Sequence, residues 1–189
     1  GIDSEAAVRF EKGADPNIQD ATGMTPLYAA VDMRAPANMM TRPNPKIADR
    51  EALDALGIVR VLLEHAANPN MALKGPIIGR HNNLLGDTSL GLGATPLARA
   101  AKANDLPVMR LLLEHGADPT LTLKDRTTTA MLASSLEAIQ LLVEHGVDVN
   151  AFNTNGQTLL HNAAGRGANP VITYLAGAGA RLDRKDKRG

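Results

Sequence analysis

Histidine is the side chain of this 189-residue chain best suited to metal binding or proton transfer, and the chain has five histidines and no cysteine. His65, His115 and His145 each follow a glutamate at the same place in a recurring phrase. Stacked helices lie about 8–10 Å apart, whereas zinc–nitrogen bonds measure about 2.0–2.1 Å. One ion therefore cannot be shared by all three, and we interpret them as donors or cations at helix C-termini, where the helix dipole favours them.

His81 lies outside this recurring position, in the segment 74–91. A metal or catalytic role would need further ligands from elsewhere, because the segment has no second histidine or cysteine. Metal or small-ligand binding beneath this segment is kept as an alternative. The segment around Gly91 and Gly93 begins like a dinucleotide-binding fingerprint, but Pro96 stands where its third glycine belongs. We predict no catalytic residue, no metal and no cofactor.

The elements around these residues are set by two alternating phrases. The first covers 62–70, 112–120 and 142–150, with weaker copies at 10–17 and 175–180; the second begins at Thr25 and returns at Thr95, Thr128 and Thr158. Self-similarity at a period of roughly 33 residues is typical of a solenoid. Solenoids mostly bind partners through extended surfaces, so the pattern favours a binding function over catalysis.

Each phrase predicts a helix boundary. Thr25 and Thr95 can cap a helix N-terminus, and the prolines after them fit the first helical position. Gly116 and Gly146 stand where a left-handed residue ends the second helix. Ala66 occupies the equivalent position, and a left-handed alanine costs about 1–2 kcal/mol. This turn is therefore either strained or differently shaped, and we expect glycine at position 66 to be neutral or stabilising.

Together the two phrases resemble the ankyrin repeat: a helix opened by Thr-Pro-Leu-His, a second helix, then a β-hairpin-like loop. The resemblance implies an all-α solenoid of about four full repeats with partial terminal ones, and a structural hydrogen bond from His161 to the adjacent unit. We expect one domain over 1–189. Its expected parts are a partial repeat at 1–20, a repeat with a helical insertion at 21–73, a hairpin-loop insertion at 74–91, and repeats at 92–123, 124–153 and 154–189.

Two features depart from the repeat pattern. The insertions carry prolines and clustered leucine and isoleucine, so we expect them to be ordered, with Ile77, Ile78 and Leu85 buried. Whether they bind a partner or only cover the stack is left open; the expected contacts are Met39, Met40, Arg42 and His81. Both ends look cut, so we expect either a fragment of a longer array or an array that lacks conventional caps.

Composition limits the partners. Twenty cations balance twenty anions, and only four residues are aromatic, which argues against nucleic-acid binding. No apolar run approaches the ~20 residues of a membrane span. The basic segment 181–188 is interpreted as a solvated end. We expect a monomer that binds neither nucleic acid nor membrane, and the sequence leaves its compartment open.

The resemblance implies protein–protein recognition through a concave face of hairpin tips and first helices. The expected contacts are Met24, Arg99, Lys102, Asn104, Arg126, Leu132, Asn155, Gln157 and Asn162. We expect alanine at positions 99 and 162 to weaken binding while leaving stability nearly unchanged. The alternative is a regulatory or targeting module of a larger enzyme.

Overall fold

The structure is a computed structural model that describes residues 13–34, 55–75 and 90–187. These residues contain eight helices in four consecutive pairs. The helices are α1 (Pro26–Arg34), α2 (Ala55–Glu64), α3 (Pro96–Ala103), α4 (Leu106–Glu114), α5 (Thr129–Leu132), α6 (Leu136–Glu144), α7 (Leu159–Gly165) and α8 (Asn169–Gly177). We number the pairs as units 1 to 4, each with a first and a second helix.

Threonine caps begin the first helices, as the sequence predicts. The hydroxyls of Thr25 and Thr95 accept hydrogen bonds from Tyr28 N and Ala98 N, at 3.1 and 3.2 Å. At α7 the cap is reciprocal, because His161 Nδ1 accepts from the backbone N–H of Thr158 at 3.2 Å. The hydrogen bonds that His161 makes to described residues thus lie within its own unit, at Thr158, which differs from the expected bond to the adjacent unit.

The helices stack in two layers. First helices α1, α3, α5 and α7 contact one another in chain order, and second helices α2, α4, α6 and α8 form a parallel series. The main core lies between the layers, where Leu97, Met109 and Leu112 are fully buried. A smaller cluster around Tyr28, Leu90 and Ala98 lies apart from it. The described part of the chain is therefore an all-α repeat solenoid, without strands longer than isolated bridges.

The second helices end in the same way in units 1 to 3. In unit 1, Ala66 N donates to Leu63 O and Ala67 N donates to Leu62 O, which is the Schellman arrangement. Gly116 and Gly146 begin the same arrangement in the next two units. Ala66 has φ 63°, so it keeps the left-handed turn of the glycines instead of adopting a different shape.

The recurring histidines complete these helix ends. The Nδ1 atoms of His65, His115 and His145 lie 2.9, 2.9 and 2.7 Å from the carbonyl oxygens four residues earlier. A carbonyl only accepts, so each Nδ1 carries the proton and donates. This arrangement confirms the interpretation of these histidines as donors at helix C-termini. No group of residues suited to hold a metal occurs in the ranges that the structure describes.

Hairpin tips precede each first helix. Backbone bonds close three tips over four positions: Asp20 N to Met24 O, Leu123 N to Thr127 O, and Asn153 N to Gln157 O. Before unit 2, Leu73 N instead donates to Ala94 O, 21 positions later. The described residues on either side of the expected 74–91 insertion are thus joined to each other, so the stack continues across it.

Asparagine side chains join successive loops. Asn70 Nδ2 donates to Gly116 O at 2.9 Å, and its Oδ1 accepts from Asp118 N at 2.7 Å. Asn17 and Asn150 make the same pair of bonds to the following loop. Thr120 takes this position between units 2 and 3; it bonds instead to Asp118 of its own loop, at 2.6 Å. Its hydroxyl and N–H hold the pKa of Asp118 below the ordinary value.

The left-handed alanine gives the first prediction. Ala66→Gly should raise the free energy of unfolding by about 1 kcal/mol, because glycine adopts a positive φ without the Cβ clash. Gly116→Ala is the matched control: a Cβ there meets nothing within 4 Å, so only the backbone cost remains, and stability should fall. Urea denaturation of both variants tests this, and a loss of stability in Ala66→Gly would contradict it.

The missing asparagine gives the second prediction. Thr120→Asn should add the inter-loop bonds to Gly146 O and Asp148 N, and stabilise the chain by about 1 kcal/mol. The reverse change at the preceding position, Asn70→Thr, should destabilise it by a similar amount. Thermal unfolding of the two variants provides the measurement. Equal melting temperatures for Thr120→Asn and the parent would show that the loop geometry there cannot accept the asparagine.

Candidate protein-binding surface

The hairpin tips form one continuous row. Each tip donates a backbone N–H to the tip before it, through Lys74 N to Thr22 O, Lys124 N to Leu92 O, Thr154 N to Asp125 O, and Lys187 N to Asn155 O, at 2.8–3.0 Å. The row runs beside the layer of first helices. Since backbone atoms make these bonds, the tips are joined without the use of their side chains. This is the surface on which the sequence places the expected binding residues.

Arg99 lies inside the stack and not on its surface. Only 9% of Arg99 is exposed, and its Nε donates to Asp32 Oδ1 at 2.6 Å. Asp32 belongs to α1 of the preceding unit and is itself 4% exposed. We expected alanine at position 99 to leave stability nearly unchanged, and this burial contradicts that expectation. Removing one partner of a buried ion pair leaves the other charge buried without compensation.

A second ion pair joins the same two units. Arg34, at the end of α1, donates from Nε and Nη2 to the two oxygens of Asp105, at 2.8 and 3.2 Å. Asp105 also caps α4, since its Oδ1 accepts from Val108 N. This two-point pairing fixes the end of one unit against the start of a helix in the next.

Two more expected contacts are engaged between units. Asn104 is left-handed, with φ 54°, and its Oδ1 accepts from Ser134 N and Ser135 N, both at 2.8 Å. Asn162 Nδ2 donates to Met131 O at 3.2 Å. These bonds join neighbouring units, and they use both polar atoms of the Asn104 amide and the Nδ2 of Asn162 within the chain.

The remaining expected contacts differ in exposure. Met24 and Leu132 are half-buried and pack against the smaller apolar cluster. Lys102 and Gln157 are half-buried, and Asn155 is exposed. Asn153 Nδ2 lies 3.4 Å from Gln157 Oε1, a long contact. Met39, Met40, Arg42 and His81, and the apolar residues expected to be buried in the second insertion, lie outside the described residues.

Arg126 is exposed and has an unusual backbone. It has φ 65° at the position that glycine takes in the other tips, as at Gly93 and Gly156. A left-handed non-glycine residue costs about 1–2 kcal/mol, and such strain tends to collect at functional positions. The Arg126 guanidinium carbon lies 4.8 Å from the centre of the Phe152 ring in the next tip.

Arg184 was missed by the sequence analysis. The basic segment 181–188 was expected to be a solvated end, but Arg184 is half-buried, with its guanidinium carbon 3.7 Å from the centre of the Phe152 ring. Arg126 and Arg184 belong to the tips before and after Phe152, so the ring lies between two cations. The signal that could have found it is spacing, because the segment follows the last helix as the other tips do.

The ion pair gives the third prediction. Arg99→Ala should lower the free energy of unfolding by about 3 kcal/mol, since buried Asp32 loses this partner. Asn162→Ala should cost only about 1 kcal/mol, the net value of one hydrogen bond. Replacing the pair together, as Asp32→Leu with Arg99→Met, should recover much of the loss. An unchanged denaturation midpoint for Arg99→Ala would contradict the structural role.

No helix among the described residues is long and apolar enough to cross a membrane.

Comparison with known proteins agrees with this architecture. No curated protein matched the chain. A family model described as ankyrin repeats (3 copies) matches residues 97–186, which cover units 2 to 4. The match and the stacked helix pairs together identify residues 97–186 as three ankyrin repeats.

Proposed function

We propose that this chain binds another protein through the surface formed by its hairpin tips and first helices. Ankyrin repeats are generally protein–protein interaction modules and typically lack catalytic activity. The observation that carries the proposal is that backbone atoms and side chains have separate roles in the tips. Backbone atoms hold the row together, while the exposed side chains of Arg126 and Asn155 take no part in hydrogen bonding among the described residues.

The structure narrows the proposed contact residues. Arg99, Asn104 and Asn162 are withdrawn from the set, because each is engaged between units. The remaining set comprises Lys102, Arg126, Asn155 and Gln157 as polar contacts, with Met24 and Leu132 as partly exposed apolar ones. Such a mixture of apolar and polar side chains suits a protein partner. The zero net charge gives no general attraction for nucleic acid.

Domain organisation and oligomeric state complete the proposal. We retain the repeat boundaries expected from the sequence, with a monomer as the binding form. The insertion within the repeat 21–73 and the insertion at 74–91 are proposed to leave the tip row continuous, because Leu73 and Ala94 are bonded to each other across the second insertion. A partner that follows the row would therefore meet an uninterrupted surface.

Photo-crosslinking gives the fourth prediction. A photoreactive amino acid at Asn155 should crosslink a partner in extracts of the source cells, whereas the same group at Arg110 should not. Both positions are exposed, but Arg110 lies on second helix α4. With the captured partner purified, Lys102→Ala with Asn155→Ala should weaken binding by about 1–2 kcal/mol. Calorimetric titration measures this.

The control variant is Arg110→Ala with Glu137→Ala. It also removes two exposed side chains, both on second helices, and should bind as the parent does. Crosslinks from position 110 alone, or lost binding in this control with normal binding in the first variant, would place the interface on the second-helix face and overturn the proposal.

A further inference from the structure

One group of tip residues combines charge, strain and an aromatic platform. Phe152 lies between the guanidinium groups of Arg126 and Arg184, at 4.8 and 3.7 Å from its ring centre. Cations within about 6 Å of a ring centre are attracted to the face of the ring. The three side chains come from three successive tips, so the arrangement exists only in the folded stack. We call it the arginine–phenylalanine cluster.

The two guanidinium groups retain their hydrogen-bonding capacity. In the part of the chain that the structure describes, the side chains of Arg126 and Arg184 make ring contacts but neither hydrogen bonds nor ion pairs. By contrast, Arg34 and Arg99 each form an ion pair with a carboxylate of the neighbouring unit. Stacking on Phe152 restricts the planes of the two groups while leaving their N–H donors for a ligand.

Backbone strain is an independent observation at the same place. Three other tips have glycine at the left-handed position, Gly23, Gly93 and Gly156. A side chain added at Gly93 would lie 3.1 Å from the backbone of the next tip, so glycine is required there by space as well as by φ. At Arg126 the chain accepts a strained residue that carries a charged group. Stability alone would favour glycine.

The surrounding charge is positive. Within the last three tips the described cations outnumber the carboxylates; the cations are Lys124, Arg126, Arg184, Lys185 and Lys187, and the carboxylates are Asp125, Asp183 and Asp186. The chain as a whole has no net charge, so this excess is local. Guanidinium forks match the geometry of carboxylates, which they bind at two points.

We propose that the arginine–phenylalanine cluster binds carboxylate side chains of an acidic segment in the partner protein. This inference rests on the proposed protein-binding function and adds the chemistry of the partner. Nucleic acid is the less suitable anion, since single strands stack their bases on aromatic faces, and here the two arginines lie over the ring of Phe152.

Selection from a displayed library of short random peptides tests this proposal. Peptides selected on the full chain should be rich in aspartate and glutamate, and their affinity should fall as salt is raised. Arg126→Gln with Arg184→Gln should weaken them at least about tenfold. Phe152→Leu retains every charge but removes the aromatic platform, so it should weaken them as well.

The matched control is Arg60→Gln with Arg110→Gln, which removes two exposed arginines from second helices and should leave affinity unchanged. Denaturation midpoints equal to that of the parent establish that each variant is folded. If the two double variants weakened peptide binding equally, the effect would come from net charge alone, and the proposal would be overturned.

Two further outcomes would also overturn it. Selected peptides without an acidic bias, bound equally by the Arg126→Gln, Arg184→Gln variant, would refute the acidic partner while leaving the crosslinking result for the tip surface intact. Oligothymidine that binds through both arginines, where acidic peptides fail to bind, would show that the cluster recognises nucleic acid instead. Failure of the proposed protein-binding function can be distinguished from these outcomes, because it would give crosslinks from position 110 alone.

Discussion

The apolar contact between neighbouring helix pairs is the interaction on which every other part of this structure depends. Helix α5 shows why, since it has only four residues, Thr129–Leu132, and so short a helix is not stable in isolation. It persists because Ala130 and Met131 are buried between the units on either side. Each unit thus completes its core with side chains from its neighbours, as in other quasi-one-dimensional proteins.

Polar contacts between units lie at both ends of this apolar contact. At the loops after the second helices, Asn17, Asn70 and Asn150 reach the next unit with two bonds each. At the opposite side, the tips are joined by backbone bonds. Since both edges of the stack are fixed, the tip surface is held in one geometry before a partner arrives, which reduces the entropy lost on binding.

Local features of the sequence predicted local features of the fold. Thr25 and Thr95 cap helices as expected, and Thr158 does the same at α7, because a cap needs only one side chain and the backbone three residues on. At Ala66 the alignment with glycine left two alternatives open, a strained turn or a differently shaped one, and the structure has the strained, left-handed turn. The overall class followed from repetition, because a phrase that returns at nearly constant spacing must make the same contact each time.

Contacts that depend on two distant residues could not be predicted in this way. Arg99 pairs with Asp32, 67 positions earlier, with an insertion in between. A position that varies among repeats was expected to face a partner, but here it carries the arginine that meets this aspartate. Arg184 and Phe152 pose the same problem, since neither residue alone indicates stacking. Repetition predicts which positions meet between units but not which of them form charged pairs.

The three histidines at the helix ends have a consequence for which residues the repeat can accept at this position. In His65, His115 and His145 the ring donates from Nδ1 to the carbonyl four residues earlier, and the backbone N–H of the same residue donates to that carbonyl as well. One residue therefore supplies two donors to one acceptor at the end of its helix. A replacement side chain must reach the same carbonyl from the same Cα, so the recurrence of histidine reflects the geometry of the helix end and requires no shared ligand.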